Sequence, residues 1–532
     1  MRRAALPMLA IGIVLAGLIV ALQVAAGAYR AEFGEDETSH YASALMLHDY
    51  LAGGAPQSPL AYVRMWHSHY PLVGIGHWPP LFYAVTAVWM LAFSPGHLSM
   101  LLLSATVTLA VSLLLYSMLR PSSGTLLAAA AAVLLAASPL IRDGSNALML
   151  DVPTALACLL AAGAYGRFLR TGRARDSALF ALLAVAAMMV KGNGACLALL
   201  PPAAVLIGRR LDLLRRAAFW LPLPIVAVLA GPWYWLTYQL AAAGFRFPWG
   251  LAYVEVASAA NLGALLHAFG PPIVLLGAAG FVWTALRPRA AGPVAVGAAA
   301  LFAAVWIFQS VVPAALQDRY LAPALPPLLI LAVRAGTAAL GRLLPTHPAP
   351  ARALLAGVLA ATFLLTAAAA TGKDRSGIAE AVALLLEHPV PGNPAILLAA
   401  DSLPEEQAVT EIALQDSNRP HLFAVRGVRL LGGGGYNDQD YEPRFQTPAQ
   451  VMAAIDALAI PTVLVRADGG PREWEHVRQV QAAIAAYPDR WHLFGRIDIP
   501  HTAPVLLYRL SGNDTRPAKT AGLLALSAPH GL

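Results

Sequence analysis

Gly34-Glu-Asp-Glu-Thr-Ser-His-Tyr41 lies a few residues beyond the first long apolar segment, and its Asp36-Glu37 pair falls in a chain where carboxylates are scarce. Ionisable chemistry is therefore expected at a membrane surface. A second carboxylate, Asp151, closes the stretch Arg142-Asp-Gly-Ser-Asn-Ala-Leu-Met-Leu-Asp151 after a later apolar segment. The two acids are expected to converge on one face, an arrangement suited to an enzyme that works on a lipid-linked substrate.

Composition sets the class around that pair. Hydrophobic residues make up 58% of the chain and charged residues 12%, and mean hydropathy is +0.61. These values exclude an ordinary soluble domain and predict a polytopic α-helical membrane protein. Cys158 and Cys196 both fall inside apolar runs, so there is no disulfide framework and both should pack as small hydrophobes. The net charge of +7 comes from arginines clustered in short loops between apolar segments. That pattern is a topology signal, and a nucleic-acid partner is excluded.

Lys and Arg accumulate in cytoplasmic loops. Arg2 and Arg3 place the N-terminus inside, and residues 5–28 then cross outward, being long enough for a hydrocarbon core of about 30 Å. This segment reads as an anchor and not as a cleaved signal peptide. Asp36 and Glu37 emerge outside. Basic clusters at Arg120, 167–175, 209–216, 287–289 and 334–352 mark the inside loops. Between them, spans are expected at 98–119, 125–141, 152–169, 178–190, 195–208, 217–236, 271–286, 293–312, 321–333 and 353–370, about eleven in all. Asp151 then shares the outer side with Asp36. Segments 178–190 and 195–208 form a tight helical hairpin through Lys191-Gly-Asn-Gly194. The apolar stretch 79–93 reads as a surface or partly inserted helix, since a full crossing would reverse every later loop. Residues 29–78 and 238–268 read as helices in the interface plane that line an outer-leaflet cavity.

Beyond residue 371 the character changes. Short apolar runs at 395–400, 461–465 and 504–508 read as buried strands. Helical patterns lie around 378–387, 405–415, 448–458 and 474–487. Residues 372–532 are therefore expected to form a small extracytoplasmic α/β domain after a transmembrane domain at 1–371. Glycines 432–435 lack phosphate-loop spacing and read as a flexible surface loop.

Several motifs occur in a recognisable order: Asp36-Glu37 with Tyr41; His77-Trp-Pro-Pro-Leu-Phe-Tyr83; Ser138-Pro139 followed by Asp151; Lys191-Gly192; Pro232-Trp233; and Arg319-Tyr320-Leu-Ala-Pro-Ala-Leu-Pro-Pro327. On these residues the chain resembles the GT-C class of membrane glycosyltransferases, in the branch that holds protein O-mannosyltransferases, the lipid A aminoarabinose transferase and RgtA/B/C/D-like transferases. The resemblance covers about the first 370 residues. It implies transfer of a sugar, with inversion, from a polyprenyl-phosphate donor to a lipid, polysaccharide or protein acceptor on the outer face of a plasma (bacterial inner) membrane. The family's first-loop acid matches Asp36, which implies a general base that deprotonates the acceptor hydroxyl, with Glu37 and Asp151 beside it. Lys191 and Arg319, with Tyr320, are the candidates to hold the donor phosphate, and Tyr41 and His77 the candidates to contact substrate.

His77 departs from the family pattern by replacing the usual lysine of Lys-Pro-Pro-Leu-Tyr-Tyr. With His40, His67 and His69 it crowds the first outer loop. A divalent metal is the alternative this invites, but the spacing matches no standard zinc motif, and no cofactor is expected. Each site residue also has a structural reading. Asp151 could be a helix N-cap, Lys191 a snorkelling side chain, and Arg319-Tyr320 an interfacial anchor. A glycolipid transporter or flippase and a non-catalytic envelope assembly protein are the rival functions. The absence of paired, interrupted halves speaks against transport.

Overall fold

In the computed structural model the described residues are 2–242, 244–245, 247–343, 348–368, 372–433, 441–469, 473–511 and 516–526. The chain divides into two compact units. One comprises Met1–Tyr29, Gly76–Phe82 and Met100–Gly372, and the other Arg30–Ile75, Tyr83–Ser99 and Lys373–Leu532.

The first unit is helical. Among the described residues six helices are long and apolar enough to cross a membrane: Leu6–Ala25, His97–Ala137, Asp151–Thr171, Leu251–Leu286, Pro288–Val311 and Asp318–Arg342. Shorter apolar helices include Gly192–Gly208, Ala217–Leu229 and Arg352–Ala367. The spans expected at 98–119 and 125–141 are two helical stretches that meet at Gly124, whose non-helical φ of 83° needs glycine. Leu251–Leu286 breaks in the same way at Gly270, just before Pro271-Pro272. Its first half covers residues expected in the interface plane. The apolar run from residue 251 to 269, with Glu255 as its sole carboxylate, is a helical stretch of its own, and the span expected at 271–286 begins after the break. The span expected at 217–236 is divided into Ala217–Trp220, Pro222–Leu229 and Gly231–Ala242, because Pro222 and Pro232 each remove a helical N–H donor.

Close helix packing in this unit rests on small residues. A Cβ on Gly297 would meet the Ala162 carbonyl oxygen at 3.0 Å, and one on Gly166 would meet the Pro293 carbonyl oxygen at 3.1 Å. Helices Asp151–Thr171 and Pro288–Val311 thus approach backbone to backbone, as small residues allow within a bilayer.

The second unit is built on a five-stranded sheet. In chain order the strands are β1 (Ala395–Ala399), β2 (Phe423–Arg426), β3 (Gly432–Gly433), β4 (Glu442–Pro443), β5 (Thr462–Arg466), β6 (Trp491–Ile497) and β7 (Val505–Leu510). The main sheet runs β2-β1-β5-β7-β6, while β3 pairs only with β4. β1 is parallel to both β2 and β5, with Leu397 opposite Val425 on one side and Val463 on the other, and β7 is antiparallel to β5 and β6. The three strands expected from sequence are β1, β5 and β7. The four expected helices occur as Ile378–Glu387, Ser402–Gln415, Pro448–Ala457 and Glu475–Ala486. Of the glycine run read as a loop, Gly432 and Gly433 form β3, and residues 434–435 lie outside the described residues.

Helices Glu35–Ala52 and Pro59–His69 belong to this second unit and are tied to its C-terminal chain. Arg419 binds Asp49 through two nitrogens at 2.8 and 3.1 Å, and the Tyr70 hydroxyl donates to Asp416 Oδ2 at 2.5 Å. The buried Glu32 carboxylate accepts the backbone N–H groups of Ser376 and Gly377 at 2.8 and 3.0 Å. Polar groups that would be costly to bury alone are thereby satisfied.

Candidate functional site

In the first unit three separate segments bring four of the expected residues together. Asp151 opens the helix Asp151–Thr171, and Leu150 stands at the N-cap. The N-cap reading of Asp151 is therefore corrected to a place in the first helical turn, where a carboxylate is favoured by the helix dipole. Lys191 follows the helix Ala174–Val190 in extended conformation, φ −153° and ψ 142°, and the chain then enters the 3₁₀ turn Gly192–Ala198. Gly192 and Gly194 make that sharp re-entry in the expected hairpin, although its second arm begins as a 3₁₀ turn and becomes α-helical only at Leu200–Gly208.

This break turns Lys191 inward. Its Nζ lies 2.6 Å from Asp151 Oδ1, with side-chain exposures of 8% and 3%, so the pair is a desolvated, charge-assisted hydrogen bond. The same Nζ stands 4.4 Å from the centroid of the Tyr320 ring, which adds a cation–π contact. Tyr320 and Arg319 lie on the 3₁₀ segment Asp318–Ala324. The Arg319 guanidinium is 5.9 Å from the Tyr320 ring centroid, and its Nε donates to Gln317 Oε1 at 2.6 Å. Asp151 Oδ2 is buried and has no hydrogen-bond partner among the described residues. A buried carboxylate oxygen in that condition costs free energy unless a donor reaches it. A substrate hydroxyl or a protonated phosphate could supply one.

His77 is in the same unit and is held by its backbone surroundings. Its Nδ1 shares a 3.0 Å hydrogen bond with the Leu240 carbonyl, and the ring meets Trp78 edge-on with centroids 4.4 Å apart.

Asp36, Glu37 and Tyr41 belong to the second unit, on the helix Glu35–Ala52. Glu37 is buried and closes the start of this helix: its Oε2 accepts the Gly34 N–H at 3.0 Å, and its own N–H donates to the Gly34 carbonyl at 2.9 Å. The same Oε2 is 3.2 Å from Lys373 Nζ. Asp36 sits between two anchored positions in the first turn and is partly exposed. Tyr41, expected to contact substrate, has no exposed surface. Its hydroxyl donates to the Pro95 carbonyl at 2.9 Å, and its ring stacks on Phe33 at 4.3 Å. Burial pushes the phenol well above its usual range, so it stays protonated.

The other loop histidines have structural partners. His40 Nδ1 meets the Tyr83 hydroxyl at 2.9 Å, and His69 stacks on Phe423 at 4.1 Å. Burial, together with Arg429 and Arg426, lowers His67 to about 4. Among the described residues no three His, Cys, Asp or Glu side chains are grouped to hold a metal ion.

Lys373 was missed in the sequence reading, although a signal for it existed. The chain has only three lysines, Lys191, Lys373 and Lys519, against thirty-three arginines. The first two face buried carboxylates at the candidate sites.

Residues 77–235, which include Asp151 and Lys191, match the family described as dolichyl-phosphate-mannose-protein mannosyltransferase. Over most of its length the chain is similar to ArnT from Cupriavidus metallidurans bound to undecaprenyl phosphate, at TM-score 0.56 and 16% identity, covering 94% of this chain and 98% of that one. This is a GT-C fold. The same GT-C architecture relates the chain to the Archaeoglobus fulgidus oligosaccharyltransferase in its apo form, at TM-score 0.54 and 14% identity over 86% of this chain and 69% of that one. It also relates it to the archaeal AglB in complex with an inhibitory peptide and a dolichol-phosphate, at TM-score 0.53 and 12% identity over 95% and 74%. No curated protein matches the chain in sequence. With this fold and its apolar helices, the chain is a multi-pass membrane protein.

Proposed function

We propose that this GT-C protein is an inverting glycosyltransferase. It moves a hexosyl or pentosyl unit from a polyprenyl-phosphate donor to a lipid, glycan or protein acceptor on the extracytoplasmic face of the plasma membrane. The observation that carries the reading is the buried Asp151–Lys191 pair against Tyr320, set in a fold shared with a transferase bound to undecaprenyl phosphate.

In this mechanism the glycosyl phosphate is already an activated leaving group, so the protein must bind anionic oxygen and remove one proton. Lys191 and Arg319 bind the phosphate oxygens, and Tyr320 keeps the Lys191 ammonium in place by cation–π attraction. Asp151 orients Lys191 and offers its Oδ2 to a donor on the substrate. Asp36 takes the proton of the acceptor hydroxyl as that oxygen attacks the anomeric carbon, while the C–O bond to phosphate breaks on the opposite face. Glu37 fixes the helix start that carries Asp36, and Tyr41 packs that helix from within. His77 contributes a titratable contact to substrate. Residues 372–532 form the extracytoplasmic α/β domain.

The test is mass spectrometry of polyprenyl-phosphate sugars and envelope glycans in cells with the intact gene, Asp36→Asn, or a deletion. One carrier-linked sugar should accumulate, and one glycan should lose that sugar, in both altered strains. A glycan change on deletion but not in Asp36→Asn removes Asp36 from the base role. No change in any sugar pool returns the chain to the transport or assembly readings.

A further inference from the structure

A cavity lies within the first unit and is not used by the proposed chemistry. It has a volume of about 330 Å³, and its lining includes Ser122, Ser123, Trp283, Arg334, Thr337 and Arg352. Tyr320 and Arg334 stand on the same helical stretch, Asp318–Arg342. Their separation of fourteen positions corresponds to roughly 20 Å along the axis, most of the thickness of a bilayer core. The cavity is thus at the far end of that rod from Tyr320.

Its chemistry is one-sided. Ser122 donates its hydroxyl hydrogen to the Leu119 carbonyl, and Thr337 donates to the Val333 carbonyl. The Ser123 hydroxyl lies 3.4 Å from that of Ser122, and the remaining donors belong to Trp283, Arg334 and Arg352. The Trp283 indole N–H and the Arg334 Nε–H are both buried without an acceptor among the described residues, although another Arg334 nitrogen donates to the Ala291 carbonyl. The segments that supply the lining, 120–124, 283–293 and 334–352, contain no Asp or Glu, and they carry Arg120, Arg287, Arg289, Arg334, Arg342 and Arg352. A cavity with guanidinium and indole donors and no carboxylate calls for an acceptor-rich anion, and a phosphate group fits that description.

We propose that this cavity binds the phosphate of an anionic membrane-lipid headgroup from the leaflet on the arginine-rich side. The setting favours a lipid over a soluble anion. The lining residues lie at the ends of apolar helices, the Trp283 ring has the amphipathic character of an interfacial anchor, and basic pockets between helices on the cytoplasmic side recognise such headgroups. The lipid holds the ends of helices Leu251–Leu286, Leu325–Leu343 and Arg352–Ala367 together through a counter-charge that the described lining residues do not carry.

The experiment is native mass spectrometry of the full-length protein in mild detergent, titrated with phosphatidylglycerol or phosphatidylcholine, with and without inorganic phosphate. Phosphatidylglycerol should stay bound under conditions that strip phosphatidylcholine, and inorganic phosphate should not displace it. Arg334→Gln and Arg352→Gln should each weaken its retention about tenfold, the loss of one charge-assisted contact. Trp283→Phe keeps the aromatic packing and should weaken retention less, which preserves the test if Arg334→Gln folds poorly. Equal retention of the two lipids, or phosphatidylglycerol retention unchanged in both Arg352→Gln and Trp283→Phe, overturns the proposal. Displacement of phosphatidylglycerol by millimolar phosphate overturns the lipid assignment in favour of a soluble anion.

Discussion

Lys191→Met should separate the structural role of the Asp151–Lys191 pair from its chemical role. The substitution keeps the length and apolar stem of the side chain but removes the ammonium 2.6 Å from Asp151 Oδ1. Asp151 is then a buried carboxylate whose other oxygen already lacks a partner. Removing one member of such a pair costs about 3–5 kcal/mol, since the remaining charge is left uncompensated, and the lost contact with the Tyr320 ring adds about 1 kcal/mol. Asp151→Asn alone should cost less, because the amide oxygen still accepts from Lys191. The double variant carries no buried charge and should recover at least about 2 kcal/mol relative to the sum of the single changes. Unfolding of the purified protein by SDS in mixed micelles, followed by circular dichroism, gives all four values. In parallel, the double variant should remain inactive in transfer, since restored packing does not restore a cation for phosphate. Single variants that each cost under about 1 kcal/mol and add without coupling would refute the claim that the pair is a desolvated unit. Recovery of activity in the double variant would remove Lys191 from phosphate binding.

Glu37→Ala should cost about 1–2 kcal/mol by opening the helix start at Gly34 and losing the Lys373 contact, whereas Glu37→Gln should cost less because its amide oxygen still accepts the Gly34 N–H. Chemical unfolding of both variants checks the order. Asp36→Asn should lower the transfer rate by about 10²–10⁴-fold, to be read in a single-turnover assay with a lipid-linked donor. Burial, opposed in part by a hydrogen bond from Gln415 and reinforced by Glu32, raises Glu411 to about 7 from an ordinary 4.5. The folded state therefore holds a proton that the unfolded chain releases, and stability should fall by a few kcal/mol as pH rises from about 4.5 to about 7 and then level off. Glu411→Gln should flatten that part of the stability curve, and an unchanged slope would assign it to another group. Gly297→Leu should disrupt the approach to Ala162, where even a Cβ sits at 3.0 Å, and cost about 1–3 kcal/mol by the SDS assay.

The spans were legible where apolar runs are uninterrupted, because bilayer thickness fixes the length a helix must reach. Residues 217–236 have the composition of a span, but Pro222 and Pro232 divide it. The strands that sequence reading found, β1, β5 and β7, lie inside the sheet, whereas β2 and β6 are its edges. Edge strands carry polar residues that blunt further pairing, in β6 His492 and Arg496, and this hides its apolar pattern, while β2 has only four residues, one of them the buried Arg426 paired with Glu405. Helices 35–52 and 59–69 have aromatics that suit a membrane interface and a protein interface equally well. What distinguishes them is that Asp49 and Tyr70 find Arg419 and Asp416 some 350 to 370 positions later. The residue types at the candidate site were visible one by one. The meeting of Asp151, Lys191 and Tyr320 depends on helix packing that no local pattern encodes.

The interleaved second unit has a consequence for how the protein is made. Residues 30–75 leave the ribosome long before Ser376, Asp416 and Arg419, the partners of Glu32, Tyr70 and Asp49. Most of the first unit, Met100–Gly372, is synthesised in between. The segment that bears Asp36 therefore cannot complete these contacts until residue 419 has been made. A chain cut short soon after residue 372 lacks Ser376, Asp416 and Arg419 and so cannot form these three contacts. Ordering of the segment that holds the proposed catalytic base is thus tied to residues made more than 340 positions later.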